Sequence, residues 1–146
     1  MTQIVHEAPR DLTRVAVGDA MTVGVLACPL ETPLRDVARL MADRRVHCVV
    51  TRNDGDGRLW GVVSDRDLVA AAAAGELDER TAGEMAATPA LTVAPRETLE
   101  RAAQLLTEHA VGHLVVVEPR DGRPVGVVST LDVARAAADI EGGDTR

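Results

Sequence analysis

Aromatic side chains are nearly absent from this chain: its 146 residues include one tryptophan, Trp60, and no tyrosine or phenylalanine. The base-stacking platforms that most single-strand nucleic-acid binders use are therefore missing. Cysteine is scarce as well. Cys28 and Cys48 stand alone, and without a charged start followed by an apolar stretch to mark a secretory signal, they read as reduced, buried thiols rather than a disulfide frame. No apolar run approaches the roughly 18 to 20 residues of a membrane span. Lys and Arg number 16 against 23 Asp and Glu, a net charge of -7, and the basic residues are scattered among acids, so the surface repels polyanions. Nucleic acid and membrane are set aside as partners, and the cytoplasm is the expected location. Catalytic patterns are missing too: no Ser/His/Asp order stands out and no G-x-x-x-x-G-K loop is present, so no enzyme activity is expected.

The hydrophobic content of 46% and charged content of 27% suit a soluble globular module. Within it, one pattern is written twice. Gly61-Val62-Val63-Ser64-Asp65-Arg66-Asp67 returns 65 residues later as Gly126-Val127-Val128-Ser129-Thr130-Leu131-Asp132. At the same offset Leu34 matches Leu99, Ala38 matches Ala103, Leu40 matches Leu105, Val46 matches Val111, and Asp56-Gly57-Arg58 matches Asp121-Gly122-Arg123. Met21 instead aligns with Met85, an offset of 64, so a residue is expected to have been inserted or lost before the first long helix. Self-similarity at a fixed period means one supersecondary unit repeated. We divide the chain into an N-terminal arm (1–15), a first repeat (16–78), a second repeat (79–139) and a C-terminal tail (140–146).

Each repeat reads as strand, helix, strand, strand, helix behind a short lead-in helix. The first lead-in is expected over Val17 to Met21, and a strand near Val25 to Cys28 is closed by Pro29. Thr32 is placed to cap the next helix with Pro33 at its first position, and Leu34, Val37, Ala38 and Met41 fall at i, i+3, i+4, i+7. Leu99, Ala102, Ala103 and Leu106 repeat the stripe. Apolar strands follow at Val46 to Thr51 and Gly112 to Val117, each running into a turn rich in Asp and Gly that suits a hairpin. Ser64 with Asp67, and Ser129 with Asp132, have capping-box spacing at the next helix. Gly75 ends the first of these helices.

This order resembles the CBS domain, the cystathionine beta-synthase type regulatory module. The resemblance rests on G-h-h-S/T-x-x-D at both strand-to-helix junctions (h being apolar), on the Met-bearing lead-ins, on Thr92-Val93-Ala94-Pro95, and on Gly112-His113-Leu114-Val115-Val116-Val117, similar to the family's H-L-P-V-V strand without its Pro. It covers roughly residues 16 to 139 and implies an α+β fold: two CBS-type β-α-β-β-α repeats packed about a pseudo-twofold axis. It also implies two clefts between the repeats where adenosine-containing ligands such as AMP, ADP, ATP or S-adenosylmethionine bind. Ser64 and Asp67 would belong to one cleft and Ser129 and Asp132 to the other, with Val62 and Val127, and the first strands near Val25 and Leu91, walling the base.

The junction chemistry supports that division of labour. A helix N-terminus offers unpaired N–H groups and partial positive charge to a phosphate. The Ser64 and Ser129 hydroxyls sit where they could donate to it, while Asp67 and Asp132 suit a ribose diol rather than an anion. The same residues also serve as helix caps with no ligand at all, and a carboxylate folded onto its own cap is withheld from ribose. The copies differ: Asp65 and Arg66 in the first stand where the second has Thr130 and Leu131, so unequal sites are expected, with a cation only at the first.

Three readings remain beside these. Cys48, His113 and His109 offer soft donors, yet no C-x-x-C or H-x-x-x-H spacing organises them for zinc, and packed core or pocket-edge positions are the simpler account. Trp60 reads as core or dimer interface, or as a border of the first cleft. The resemblance implies a homodimer formed through helices, consistent with the alanines at Leu68 to Ala74 and Val133 to Ala138, and a stand-alone sensor that signals to a protein partner by conformational change. The alternative is a structural or interaction protein that dimerises and docks with empty, vestigial clefts.

Overall fold

The computed structural model describes residues 11 to 144, with side chains to residue 140; most of the expected N-terminal arm, residues 1 to 10, lies outside the described residues. A 3-10 turn at Leu12–Arg14 leads into α1 (Val17–Ala20), β1 (Thr22–Val23) and β2 (Ala27–Pro29). The first repeat continues with α2 (Leu34–Arg44), β3 (Cys48–Arg52), β4 (Leu59–Ser64) and α3 (Asp65–Ala73). The second follows with α4 (Ala82–Met85), β5 (Thr92–Val93), α5 (Leu99–Glu108), β6 (His113–Glu118), β7 (Arg123–Ser129) and α6 (Thr130–Asp144). The mixed α+β fold and its two repeats are as the sequence implies. Helix α6 runs through most of the stretch taken as a C-terminal tail.

Two sheets carry the repeats. One has the order β2-β3-β4 and the other β1-β7-β6-β5. In each, the central hairpin is antiparallel, β3 with β4 and β6 with β7, while the first strand of the repeat joins in parallel, β2 to β3 and β5 to β6. The central strands are closed to water on both faces: Val49 and Val50 in β3, and Leu114, Val115 and Val116 in β6, are at most 1% exposed. Continuous apolar runs, not alternation, are what such strands require.

The chain divides into two compact units that do not follow the linear repeats. One unit comprises Val25–Leu91, and the other joins the chain up to Gly24 with everything from Thr92. Each lead-in helix is therefore seated in the unit of the other repeat. In one unit Val17 N–H donates to the Glu97 carbonyl and Gly18 N–H to the Pro95 carbonyl, each at 2.8 Å; in the other, Ala82 N–H donates to Thr32 and Gly83 N–H to Leu30, also at 2.8 Å. Leu99 N–H to the Val15 carbonyl and Leu34 N–H to the Arg80 carbonyl complete the correspondence. All these pairs keep the 65-residue offset, so Met21 has Ala86, not Met85, as its structural counterpart, and the insertion expected before α2 is not needed.

The crossing of lead-in and last strand explains the glycine in each G-h-h-S motif. A Cβ on Gly61 would stand 2.4 Å from the Ala87 carbonyl oxygen, and one on Gly126 would stand 2.5 Å from that of Thr22. Val62 and Ala87 exchange hydrogen bonds there, as Thr22 pairs with Val127 in the other unit. Because successive side chains on β4 point to opposite faces, Gly61 faces the lead-in and Trp60 turns outward. Trp60 is 37% exposed, which excludes the core position considered for it.

The helical stripes pack as their spacing requires. Leu34, Val37 and Met41 on α2 join Cys28, Val49, Val63, Leu68, Ala71, Ala82 and Ala86 in the core of the Val25–Leu91 unit, with Ala38 against its edge. Leu99, Ala102 and Leu106 are buried on α5. One cap differs from expectation. The N-cap of α2 is Pro33 with no side-chain bond, and helical geometry begins at Leu34; Thr32 lies one residue too early to cap.

Candidate functional site

Both strand-to-helix junctions form reciprocal capping boxes. Ser64 N–H donates to Asp67 Oδ2 at 2.8 Å, Ser64 Oγ donates to the same oxygen at 3.1 Å, and Asp67 N–H returns a bond to Ser64 Oγ at 3.3 Å. Ser129 and Asp132 repeat the set at 2.8, 3.0 and 3.2 Å. The serine hydroxyl proton that sequence reasoning aimed at a phosphate is thus directed at the carboxylate. Each Asp spends only Oδ2 on its cap, and no bond engages Oδ1 among the described residues. One carboxylate oxygen of each Asp thus holds the helix cap.

The backbone donors are also partly committed. Asp65 N–H is taken by the His47 carbonyl at 2.9 Å and Thr130 N–H by the Gly112 carbonyl at 3.0 Å, and the third N–H of each helix goes to its serine. These bonds leave Arg66 N–H and Leu131 N–H as the uncommitted first-turn donors for an anion. Beside them, Asp65 Oδ2 lies 3.0 Å from His47 Nδ1. This pairing, rather than one with Arg66, occupies the Asp65 carboxylate; Arg66 is exposed and makes no ion pair among the described residues.

The two junctions are unequal, but not only as the side-chain comparison suggested. A cavity of about 420 Å³ in the unit holding the second repeat is lined by Val15, Asp19 and Ala20 from the lead-in and by Asp132, Arg135 and Asp139 along one face of α6. Arg135 gives this junction a cation of its own. It was missed because it lies one turn beyond the repeated motif and its counterpart 65 residues earlier is Ala70; helical spacing from Asp132, three residues, was the available signal. Asp132 is 8% exposed, whereas Asp67 is half-buried. Val62 is buried next to the Ala87 crossing, and Val127, Val25 and Leu91 are partly covered.

Among known proteins, the CBS domain family matches twice, over residues 17–74 and 82–139. The chain belongs to the CBS domain family. Hypoxic response protein 1 of Mycobacterium tuberculosis is 30% identical over 119 residues, 80% of this chain and 81% of that protein. The crystal structure of CBSX2 in complex with AMP superposes with a TM-score of 0.70 at 30% identity, covering 87% of this chain and 98% of the other. A CBS domain protein of Pyrobaculum aerophilum complexed with AMP gives 0.73 at 27% identity, covering 86% of this chain and 99% of the other. Two solved CBS proteins of similar fold thus hold AMP.

The remaining candidates are less organised. Among the described residues, no three His, Cys, Asp or Glu side chains group in a way that could hold a metal. Burial, and then the nearby Asp65 charge, push the Cys48 thiol up to about 12, so it stays protonated at neutral pH. Both cysteines are free and buried, as expected. No helix among the described residues is long and apolar enough to cross a membrane.

Proposed function

We propose that this CBS pair is a regulatory sensor that binds an adenosine-containing ligand, from the set AMP, ADP, ATP and S-adenosylmethionine, at its two junctions. In this reading Asp67 and Asp132 accept the ribose diol through Oδ1, while Ser64 and Ser129 act as positioning residues that hold the carboxylates through Oδ2. Arg66 at the first junction and Thr130 with Arg135 at the second face the rest of the ligand, and Val62 and Val127 flank the base. The observation that carries the assignment is Asp132, nine-tenths buried, lining a ligand-sized cavity with one oxygen outside its cap. AMP complexes of two similar chains support the ligand class.

A ligand changes the state of such a module only through a difference in its affinity for two conformations, and a protein partner reads the change; no turnover is involved. We further propose that the chain works as a homodimer joined through helices. The exposed apolar side chains Val69 on α3, 69% exposed, and Leu131 on α6, 49% exposed, favour that mode of association. The test is isothermal titration with each ligand on wild type and on Asp67→Ala and Asp132→Ala, with light scattering for the dimer. Loss of one site per substitution is expected, and unchanged affinity in both variants removes the ribose assignment. One observation favours a second reading, an interaction protein with vestigial sites: each carboxylate is already anchored in a cap and needs no ligand to be satisfied. A flat titration with every ligand would select it.

A further inference from the structure

The cavity beside Asp132 is lined by more acidic than basic side chains among the described residues. Among the described residues, Asp19, Asp132 and Asp139 line it with one guanidinium, Arg135, while Val15 and Ile140 supply apolar wall. Asp132 is the anchor: it is 8% exposed, its Oδ2 is held by Ser129 N–H and Oγ at 2.8 and 3.0 Å, and no bond claims its second oxygen among the described residues. A hydroxyl pair can donate to that oxygen, whereas a phosphate cannot.

If a ribose occupies Asp132, the rest of the ligand shares the cavity with two more carboxylates. Asp139 stands two turns along the same face of α6, and Asp19 enters from α1. Asp19 and Asp139 are exposed, so each acts through partly screened charge. Their effect adds with every negative charge a ligand brings, and among the described lining residues one arginine offsets only one of three carboxylates.

We propose that the second-repeat site selects an adenosine ligand that carries no net negative charge, a nucleoside in preference to a nucleoside polyphosphate. This rests on the ribose assignment to Asp132 made above and adds the charge class of the ligand. Selectivity originates in Asp19 and Asp139, which repel the phosphate chain, and not in Asp132, which holds the sugar of either ligand.

The experiment is titration calorimetry of the full chain carrying Asp67→Ala, which silences the first site, with adenosine and with magnesium-free ATP at low and at high salt. Adenosine is expected to bind on the order of tenfold more tightly than ATP at low salt, with the gap closing as salt screens the carboxylates. Adding Asp19→Asn and Asp139→Asn should recover most of the ATP affinity and leave adenosine nearly unchanged. ATP binding as tightly as adenosine, or a preference untouched by the two Asn substitutions, overturns the charge selection while leaving the ribose assignment standing. Binding of neither probe overturns both, and wild type titrated in parallel shows whether the first site alone accounts for any ligand.

Discussion

The hydroxyl of Thr51 is fully buried and has no hydrogen-bond partner among the described residues. Its counterpart 65 residues later is Val116, also fully buried. An unsatisfied buried hydroxyl costs free energy that an apolar group of the same shape does not, so Thr51→Val should raise stability by about 1 kcal/mol, read as a higher urea midpoint with an unchanged slope. A second outcome at this scale separates cap from ligand. Ser129→Ala and Asp132→Ala should each lower stability by about 0.5–2 kcal/mol, because each removes part of one helix cap, but only Asp132→Ala should abolish ligand binding at that site. Equal loss of binding in both variants would make the serine a direct ligand contact. Cys48 gives a pH-dependent prediction. Its thiol is raised from 9.0 to about 12, so the stability it contributes is fully present below 9 and is lost as pH rises from 9 through about 12. Alkylation of native protein at pH 8 should spare Cys48, and denaturant should release it.

Elements, more than single side chains, decide how the junctions are built. The last strand of each repeat must let a lead-in backbone cross it, and glycine is what makes room. Gly61→Ala and Gly126→Ala each place a methyl group against a carbonyl oxygen, and each should cost about 1–3 kcal/mol, measurable as a drop in thermal midpoint. A neutral substitution at both positions would mean that the crossing yields easily. Much of the element pattern could be read beforehand: the i, i+3, i+4 stripes of α2 and α5, the hairpins with their Gly turns, and both capping boxes follow from local spacing. What escaped was the two-residue strand β1, too short to carry a period, whose pairing with β7 depends on a partner more than 100 residues away. Arg135 escaped for a related reason, since comparing the repeats highlights what the copies share and hides what one copy has alone.

At the scale of the whole molecule, binding and folding are linked. A ligand that binds only the folded chain should raise its stability by about 2.7 kcal/mol at 100 times its dissociation constant, so a thermal-shift series that stays flat across adenosine, AMP, ATP and S-adenosylmethionine would argue for the interaction-protein reading. Because Trp60 is the single aromatic residue and is 37% exposed, its fluorescence offers a second readout from the unit that contains the first junction.

The sequence by itself determined the repeat, its period, the element order and the position of each Ser-x-x-Asp box, because hydrophobic spacing, turn chemistry and helix capping all act over a few residues. Tertiary structure decided which lead-in joins which unit, why Gly61 and Gly126 must lack a side chain, and that Asp132 meets Asp19, Asp139 and Arg135 around one cavity. Those outcomes depend on segments far apart in the chain coming into van der Waals or hydrogen-bond contact, and no local pattern encodes which distant backbone will arrive.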